Sequence, residues 1–324
     1  EWLKMRKLGA SDAPVICELY PWKTPHQLWL EKMGLVELFE GNQATEWGHR
    51  LEPVIAAAFA EDAVLPITKA DCLIEHPLHP FITCTPDYWC GDGFTPLEIW
   101  QGAETAGTSV RDLLEQLKAA GLGTLPGTAA EILDDDVRLT LCPDKIRTSQ
   151  WVEVMLTAHD IGLRTTSTMM FGHVDGPRSW ANHLEVLRNV QVRTGGFTEF
   201  VPLPFVHMGA PLWLRGKARP GPKWDEVILV HAVSRLAFMG LIDNIQASWV
   251  KLGLDGAEAL LRAGCNDVGG TLMDESISRA AGASHGTEAT SADFLDLILD
   301  LDRQPVRRNT VYEPIESGLQ IIQP

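Results

Sequence analysis

Closely spaced cysteines are missing from this chain of 324 residues. None of its six cysteines forms the CxxC pair that structural zinc sites use, so we expect idle or buried thiols of a cytosolic protein. No apolar run reaches the roughly 18 residues that a membrane-spanning helix needs. The first residues do not resemble a signal peptide, which also predicts a cytoplasmic location without a membrane partner.

Positive charge is scarce as well, with 27 Lys and Arg against 43 Asp and Glu and a net charge of −16. The chain therefore lacks the basic field that drives nonspecific phosphate binding. This argues against a module that coats DNA, but it does not exclude an enzyme that reaches DNA through a bound metal. The length suits one large domain or two ordinary ones.

The first hundred residues open with helical signals and continue as short strands. Thr24-Pro25-His26-Gln27 supplies an N-cap, a proline at N1 and a capping-box glutamine, which predicts a helix that ends at Gly34. A second helix is predicted over residues 44–62, kinked at Pro53. Strands are predicted over residues 72–75, 81–85, 87–90 and 95–100, with a turn at 91–93.

Three acids in this part are suited to metal chemistry. Glu52 lies at the predicted kink, and a hairpin would place Asp87 and Glu98 side by side. Hard divalent cations prefer carboxylate oxygens, and phosphodiester cleavage uses a metal to generate hydroxide and stabilise the leaving oxygen. Spacing alone leaves two interpretations open: a magnesium site, or solvated acids that flank turns.

A known nuclease family carries the same motifs in the same order. They are Trp2-Leu3 with Gly9-Ala10-Ser11-Asp12, Thr24-Pro25 with Leu28-Trp29, Trp47-Gly48 with Leu51-Glu52-Pro53, His79-Pro80-Phe81, and Thr85-Pro86-Asp87. Residues 1–99 thereby resemble the YqaJ-type viral recombinases, in the lambda-exonuclease branch of the PD-(D/E)xK nucleases. The resemblance implies Glu52, Asp87 and Glu98 as ligands of Mg²⁺ or Mn²⁺, and DNA as the substrate.

The nuclease pattern is incomplete at one position. The family has a lysine two residues after its third ligand, and here that position is Trp100, whose indole cannot supply the charge. A nuclease-derived fold without nuclease activity is therefore an alternative. Pro96-Leu97-Glu98-Ile99-Trp100 is also compatible with the start of a helix in a second family.

From Thr108 onward, the pattern changes to alternating strands and helices. Ser109 is predicted to cap a helix that ends at Gly121, and strands are predicted over residues 122–125, 164–170, 197–205 and 242–250. Their spacing is typical of parallel βα units, either doubly wound or in a barrel. In a barrel the functional polar residues follow the carboxyl ends of the strands.

Several long motifs in this part match a second family. They are Gly121-Leu122-Gly123-Thr124-Leu125-Pro126-Gly127-Thr128, Thr165-Thr166-Ser167-Thr168-Met169-Met170-Phe171-Gly172-His173, Phe197-Thr198-Glu199-Phe200-Val201-Pro202, Ala218-Arg219-Pro220-Gly221-Pro222, and Asn266-Asp267-Val268-Gly269-Gly270. Residues 96–312 thereby resemble the tyrosine-using radical-SAM half of FO synthases. These enzymes join a tyrosine-derived 4-hydroxybenzyl group to 5-amino-6-ribitylaminouracil in deazaflavin cofactor biosynthesis.

The second resemblance implies cofactors, substrates and site residues. S-adenosylmethionine would lie against Gly127 and Glu131. Tyrosine or the aminouracil would be contacted by polar residues at strand ends: Thr168, His173, Glu199, His207, Arg219 and Lys251. For each of these residues, a structural hydrogen bond is the alternative to a binding role.

The resemblance also implies a [4Fe–4S] cluster held by CxxxCxxC, a motif that this chain lacks. The sequence therefore predicts an α/β protein, in which a small α+β nuclease-like part (residues 1–98) precedes a partial (β/α) TIM-type radical-SAM barrel (residues 99–324). Three functions remain open: a transferase that is inactive as this chain, a metal-dependent DNA exonuclease, and a non-catalytic fusion or assembly artefact. The oligomeric state is not predicted.

Overall fold

The structure, a computed structural model, divides into two compact units, Glu1–Gly91 and Asp92–Pro324, which are treated separately below. It describes residues 12–16, 23–33, 35–36, 67–69, 74–75, 83–84, 88–90, 94–128, 130–271 and 289–315.

The first unit contains the predicted capped helix. Helix α1 (Ala13–Ile16) is followed by α2 (Pro25–Lys32), which has Thr24 at its N-cap and Pro25 in its first turn. Thr24 Oγ1 accepts from Gln27 N at 3.2 Å, and Gln27 Oε1 accepts from Thr24 N at 2.8 Å. The capping box predicted from the sequence is confirmed.

Short antiparallel strand pairs form the rest of the first unit that is described. Strand β1 (Ile67–Lys69) pairs with β4 (Tyr88–Cys90), and β2 (Ile74–Glu75) pairs with β3 (Thr83–Cys84). The described residues thus include parts of three of the predicted strands, together with β1, which was not predicted. The helix predicted over residues 44–62 lies outside the described residues.

The strand predicted over residues 95–100 is wrong, because this segment starts helix α3 (Pro96–Ala106). Thr95 at the N-cap accepts from Glu98 N, and the Glu98 carboxylate accepts from Thr95 N at 2.8 Å. Proline at N1 and this reciprocal pair begin a helix. The hairpin that would have placed Asp87 beside Glu98 on neighbouring strands is therefore not formed.

The second unit is built on a four-stranded parallel sheet in the order β5-β6-β7-β8. After helix α4 (Val110–Ala119), which Ser109 caps as predicted, come β5 (Thr124–Leu125), β6 (Arg164–Phe171), β7 (Phe197–Pro204) and β8 (Asn244–Ile245). The helices that follow the strands are α5 (Asp135–Leu141), α6 (Thr148–Asp160), α7 (Pro177–Thr194), α8 (Pro211–Leu214), α9 (Trp224–Ala237), α10 (Trp249–Arg262) and α11 (Ser291–Leu299). The predicted α/β class and its four barrel strands are confirmed.

The last strand is much shorter than the predicted range 242–250. Ser248 is the N-cap of α10, so the chain is already helical at Trp249. Beyond Ile245, Gln246 forms an isolated parallel bridge with Asp267. The predicted range thus divides between β8, the bridge at Gln246 and the first turn of α10.

One face of the sheet packs against the helices. Met169 and Phe171 of β6 are fully buried there among aromatic side chains that include Trp151 and Trp180. A second buried cluster joins Ile99 of α3 to α4, β5 and α6. Each large apolar side chain buried in this way contributes about 1.5–3 kcal/mol before the entropy of ordering is subtracted. None of the described helices is long and apolar enough to cross a membrane.

Candidate functional site

The other face of the sheet carries polar side chains. Side chains alternate along β6, so Thr166 and Thr168 lie opposite Met169, which points into the helical core. In the parallel register, Thr166 pairs with Glu199 of β7, and residues so paired share a face. The sequence therefore places two hydroxyls and a carboxylate on the side of the sheet away from the helices.

The described residues 126–128 and 130–131 are called the Gly127 region. Within it, the backbone of Gly127 packs directly against the backbone of β6. Gly127 N donates to Thr166 Oγ1 at 2.7 Å, and Thr168 Oγ1 donates to the Gly127 carbonyl at 3.0 Å. A Cβ at Gly127 would lie 2.5 Å from Ser167 Cα. The glycine is therefore required by packing against β6, and its predicted contact with S-adenosylmethionine stays a prediction.

Glu131 ends this region with a left-handed backbone, at φ 47°. Its carboxylate forms an ion pair with Lys145, and its carbonyl accepts from Met170 N at 2.7 Å. Arg138 is buried beneath the same segment and donates to the carbonyls of Ala130 and Ile132. The carboxylate of Glu131 could accept hydrogen bonds from a ligand hydroxyl, but it already has a cationic partner.

His173 follows the carboxyl end of β6, as predicted, and is fully buried. Its Nε2 donates to the Met170 carbonyl at 2.9 Å, and its Nδ1 accepts from Val174 N at 2.8 Å. Burial lowers the pKa of His173, although the nearby Asp175 carboxylate opposes this effect. The ring is therefore neutral, and Asp175 at 3.1 Å from Nδ1 does not form an ion pair with it.

Arg219 lies next to His173 through the backbone, because Arg219 N donates to the His173 carbonyl at 3.1 Å. Its Nη1 donates to both carboxylate oxygens of Glu226 at 2.7–2.8 Å, and the guanidinium lies 5.9 Å from the centroid of the Trp180 ring. Two of the predicted substrate contacts are thus brought together. Both ring nitrogens of His173 are hydrogen-bonded within the protein, whereas Nε and Nη2 of Arg219 are buried without a hydrogen-bond partner.

Two further residues of the predicted set, His207 and Lys251, follow β7 and β8. His207 packs edge to face on Trp213, with ring centroids 4.8 Å apart. Lys251 lies in the first turn of α10, where its backbone N donates to the Ser248 carbonyl. Their predicted roles in substrate binding stay predictions.

Glu199 is the centre of a buried polar cluster on the face of the sheet away from the helices. Gln246 Nε2 donates to Glu199 Oε2 at 2.9 Å, and the phenol of Tyr312 donates to the same oxygen. Arg308 binds Asp267 through Nε at 2.5 Å and Nη2 at 3.0 Å, and its Nη2 lies 3.8 Å from Glu199 Oε2. These five residues are called the Glu199 cluster below.

Burial is the main electrostatic influence on Glu199. Desolvation, with a smaller contribution from the Asp267 carboxylate, raises the pKa of Glu199 to about 8. Arg308 and the Gln246 amide oppose this shift. The carboxyl is therefore largely protonated or shares its proton with the Tyr312 phenol near neutral pH.

Sequence reasoning identified Glu199 but missed its four partners. Gln246 and Asp267 stand in or beside motifs of the second resemblance, yet nothing in their spacing indicated a shared site. Arg308 and Tyr312 follow the last helix, in a segment without periodicity. The chain has only three tyrosines, so the rarity of this residue type was the one signal that could have drawn attention to Tyr312.

The predicted nuclease ligands are not brought together among the described residues. Glu52 and Asp87 lie outside them, and the exposed Glu98 caps α3. Trp100 packs against both apolar clusters, and its Nε1 donates to Glu104 at 2.9 Å. In the described ranges, no group of three or more His, Cys, Asp and Glu side chains could hold a metal ion.

The cysteines that are described do not suit the [4Fe–4S] cluster that the second resemblance implies. Cluster ligands are thiolates. Cys142 and Cys265 are buried and free, and burial raises the pKa of both thiols, that of Cys265 to about 12. Cys84 lies on β3 and Cys90 on β4, two short strands of the other unit. The described cysteines therefore do not fit the cluster.

Family models match the two parts of the chain separately. The YqaJ-like viral recombinase domain matches residues 1–124, and the CofH/MqnC C-terminal region matches residues 194–321. The first match extends past residue 99, where the sequence resemblance was expected to end. It therefore includes α3 and α4, which fold in the second unit.

Curated relatives agree with the second resemblance. The 5-amino-6-(D-ribitylamino)uracil–L-tyrosine 4-hydroxyphenyl transferase of Methanothermobacter thermautotrophicus is 53% identical over 224 residues, covering 69% of this chain and 61% of that protein. The protein of the same name from Methanocaldococcus jannaschii is 50% identical over 223 residues, covering 69% and 62%. The FO synthase of Mycobacterium leprae is 53% identical over 219 residues, covering 68% and 25%.

The chain thus spans less than two thirds of the length of these relatives. Its N-terminal part is similar to YqaJ-like viral recombinase domains, and its C-terminal part is similar to the transferases of FO synthesis.

Proposed function

We propose that the second unit is the substrate-binding part of an FO-synthase-like radical-SAM transferase. Its ligands would be tyrosine and 5-amino-6-ribitylaminouracil, the compounds that the relatives' names contain. The observation that carries the proposal is the polar face of the parallel sheet. It presents Thr166, Thr168 and Glu199 in a part of the chain that is similar to these enzymes.

This chain does not complete the radical reaction by itself in our proposal. The cluster supplies the electron that cleaves S-adenosylmethionine in this enzyme class, and the described cysteines do not fit it. What the residues present can do is bind and orient. Hydroxyls of Thr166 and Thr168 and the carboxyl of Glu199 offer donors and acceptors to a polar ring such as the uracil.

Calorimetric titration with 5-amino-6-ribitylaminouracil tests the binding function. We expect saturable binding that weakens at least tenfold in Thr168→Val, which keeps the shape of the side chain and removes the hydroxyl. Thr157→Val, on the outer surface of α6, is the matched control and should bind as the wild type does. Absence of binding at millimolar ligand, in a folded protein, would refute the substrate assignment.

Anaerobic reconstitution with iron and sulfide tests the second half of the proposal. We expect no stoichiometric iron after desalting and no cleavage of S-adenosylmethionine under reducing conditions. Retained iron with charge-transfer absorbance, together with 5′-deoxyadenosine formation, would contradict it. The M. thermautotrophicus transferase, treated in parallel, serves as the positive control.

A second candidate function is metal-dependent digestion of linear duplex DNA. The match of the YqaJ-like model to residues 1–124 favours it. If this function exists, digestion with Mg²⁺ or Mn²⁺ should disappear in Glu98→Ala and persist in Thr95→Ala, because both variants break the capping box but only the first removes a predicted ligand. Equal loss in both variants would indicate a capping role for Glu98 alone.

A further inference from the structure

The chain after α11 returns to the sheet as a fastened segment. Residues 302–315 are called the strap. The Arg303 guanidinium donates to the carbonyls of Cys265 at 3.1 Å and Leu261 at 2.8 Å, which ties the start of the strap to α10 and the loop after it. Further along, Arg308 and Pro314 form an antiparallel bridge. The strap is therefore anchored at its start and closed on itself by a turn between Arg308 and Pro314.

Arg308 positions the aromatic ring at the tip of this turn. Its guanidinium binds Asp267 and lies 3.8 Å from the centroid of the Tyr312 ring, within the range of a cation–π contact. Tyr312 itself has φ 66°, in the left-handed region that is unfavourable for a residue other than glycine. The backbone thus holds an unfavourable conformation that directs a phenol to one place.

That place is the carboxyl of Glu199, 113 positions earlier in the chain. Oε2 of Glu199 accepts from the Tyr312 phenol and from Gln246 Nε2 together. A buried carboxyl oxygen with an amide beside it is the arrangement that would recognise the hydroxyl of any phenol. The strap supplies this phenol from within the molecule.

We propose that Glu199 and Gln246 form a binding site for the hydroxyl of a para-substituted phenol, and that Tyr312 is its internal occupant. A free 4-hydroxyphenyl compound then binds by displacing the tip of the strap, so the strap is autoinhibitory for this site. The inference rests on the proposed function in treating the Glu199 cluster as part of a substrate site. The ligand class comes from the side chain that occupies it.

Titration of the full chain with p-cresol tests the proposal. We expect Tyr312→Ala to bind p-cresol at least tenfold more tightly than the wild type, because the internal phenol is gone. Adding Glu199→Leu to that variant should reverse the gain, since the oxygen that accepts from the phenol is removed. Tyr312→Phe keeps the ring but loses the hydroxyl that Glu199 accepts from, so it should bind p-cresol more tightly than the wild type and less tightly than Tyr312→Ala.

Toluene is the control ligand, since it has the same ring and methyl group without the hydroxyl. Toluene binding to Tyr312→Ala that equals p-cresol binding would overturn the proposal and indicate an apolar cavity. A folded Tyr312→Ala that gains no affinity for p-cresol would also overturn it, leaving Tyr312 a structural residue.

A measurement on the wild type covers the case in which Tyr312→Ala does not fold. The chain has three tyrosines, so ring-labelled tyrosine gives a simple NMR spectrum in which Tyr312→Phe identifies the Tyr312 signals. Saturating p-cresol should move those signals toward the positions of free tyrosine. Unchanged signals up to the solubility limit of p-cresol would refute displacement.

The binding assays also separate this inference from the proposed function. Displacement by p-cresol without binding of 5-amino-6-ribitylaminouracil would support the strap while the transferase assignment fails. Binding of the aminouracil with a strap that no phenol displaces would support the transferase assignment and overturn the autoinhibitory role of the strap.

Discussion

The Gly127 region and the Glu199 cluster are two polar regions on the same sheet, and the partners of their hydrogen bonds come from different parts of the chain. Gly127 exchanges hydrogen bonds with the hydroxyls of Thr166 and Thr168 on the adjacent strand, and Arg138 holds the carbonyls just beyond it. Glu199 instead depends on side chains that the strap brings from the far end of the described chain.

The difference separates a rigid region from an exchangeable one. Contacts through backbone groups of neighbouring segments cannot be replaced without moving the sheet. Contacts through the tip of a strap can be exchanged for a ligand at the cost of local opening, which requires far less free energy than global unfolding. We therefore expect substitutions in the Gly127 region to act on stability, and substitutions in the Glu199 cluster to act mainly on binding and on pH dependence.

The largest expected effect is that of Gly127→Ala. The new Cβ would meet backbone atoms of Thr166 and Ser167 at 2.5 Å, so β6 must shift, and overpacking of this kind costs about 3 kcal/mol. Chemical denaturation should show this loss. Gly270→Ala, where nothing lies within 4 Å of the added Cβ, should change stability by less than about 0.5 kcal/mol. Similar losses of unfolding free energy in the two variants would contradict the conclusion that the Gly127 region is rigid.

The next effect is that of Arg138→Met. The buried guanidinium donates to three backbone carbonyls, those of Ala130, Ile132 and Ile146, which would lose their partner. We expect a loss of about 2–3 kcal/mol in the free energy of unfolding. Arg262→Met, at an exposed pair with Glu258, should cost less than about 0.5 kcal/mol.

The Glu199 cluster should determine how stability changes with pH. The pKa of about 8 in the folded protein lies above the ordinary 4.5, so the folded state keeps a proton that the unfolded chain releases. The stabilising contribution is therefore complete below pH 4.5 and is lost as the pH rises to 8, by about 1 kcal/mol per pH unit. The groups that face Glu199 are Asp267, Arg308, Gln246 and Tyr312.

Glu199→Gln, which does not titrate, isolates this dependence. Thermal unfolding from pH 5 to pH 8 should show the variant gaining stability relative to the wild type as the pH rises. The exposed Glu258→Gln should follow the wild-type profile over the same range. A constant difference between Glu199→Gln and the wild type would contradict the raised pKa.

The smallest effect belongs to the ion pair between Glu131 and Lys145. Both side chains are partly exposed, at 18% and 30%, so the pair should contribute less than about 1 kcal/mol. A double-mutant cycle with Glu131→Gln and Lys145→Met measures the coupling directly. A larger coupling would mean that this ion pair adds substantially to the buried contacts of Thr166, Thr168 and Arg138 in holding the Gly127 region.

The same capping pattern occurs twice in the chain and was interpreted correctly only once. Thr24-Pro25-His26-Gln27 and Thr95-Pro96-Leu97-Glu98 both form a capping box with proline at N1. The first was predicted as a helix. The second was predicted as a strand because a turn at residues 91–93 precedes it, although the second resemblance was compatible with the start of a helix there.

The strands of the parallel sheet were predictable because long β-branched and aromatic runs mark β6 and β7. The end of β8 was not, because no glycine or proline between Ile242 and Val250 marks the change from strand to helix at Ser248. The partners of Glu199 were not predictable either. Tyr312 contacts Glu199 across 113 positions of the chain because of how the strap folds, and no periodic pattern in the sequence of the strap indicates that fold.

The capping box of α3 has a consequence for how unrelated sequences can be joined. Thr95 and Glu98 satisfy each other, and Pro96 has no amide hydrogen to satisfy, so the first turn draws its capping hydrogen bonds from its own residues. A helix with such a start can follow foreign sequence without requiring a hydrogen-bonding partner from it. The boundary predicted from the sequence, at residues 96–99, would therefore fall at a place where an exchange of the preceding segment is structurally inexpensive.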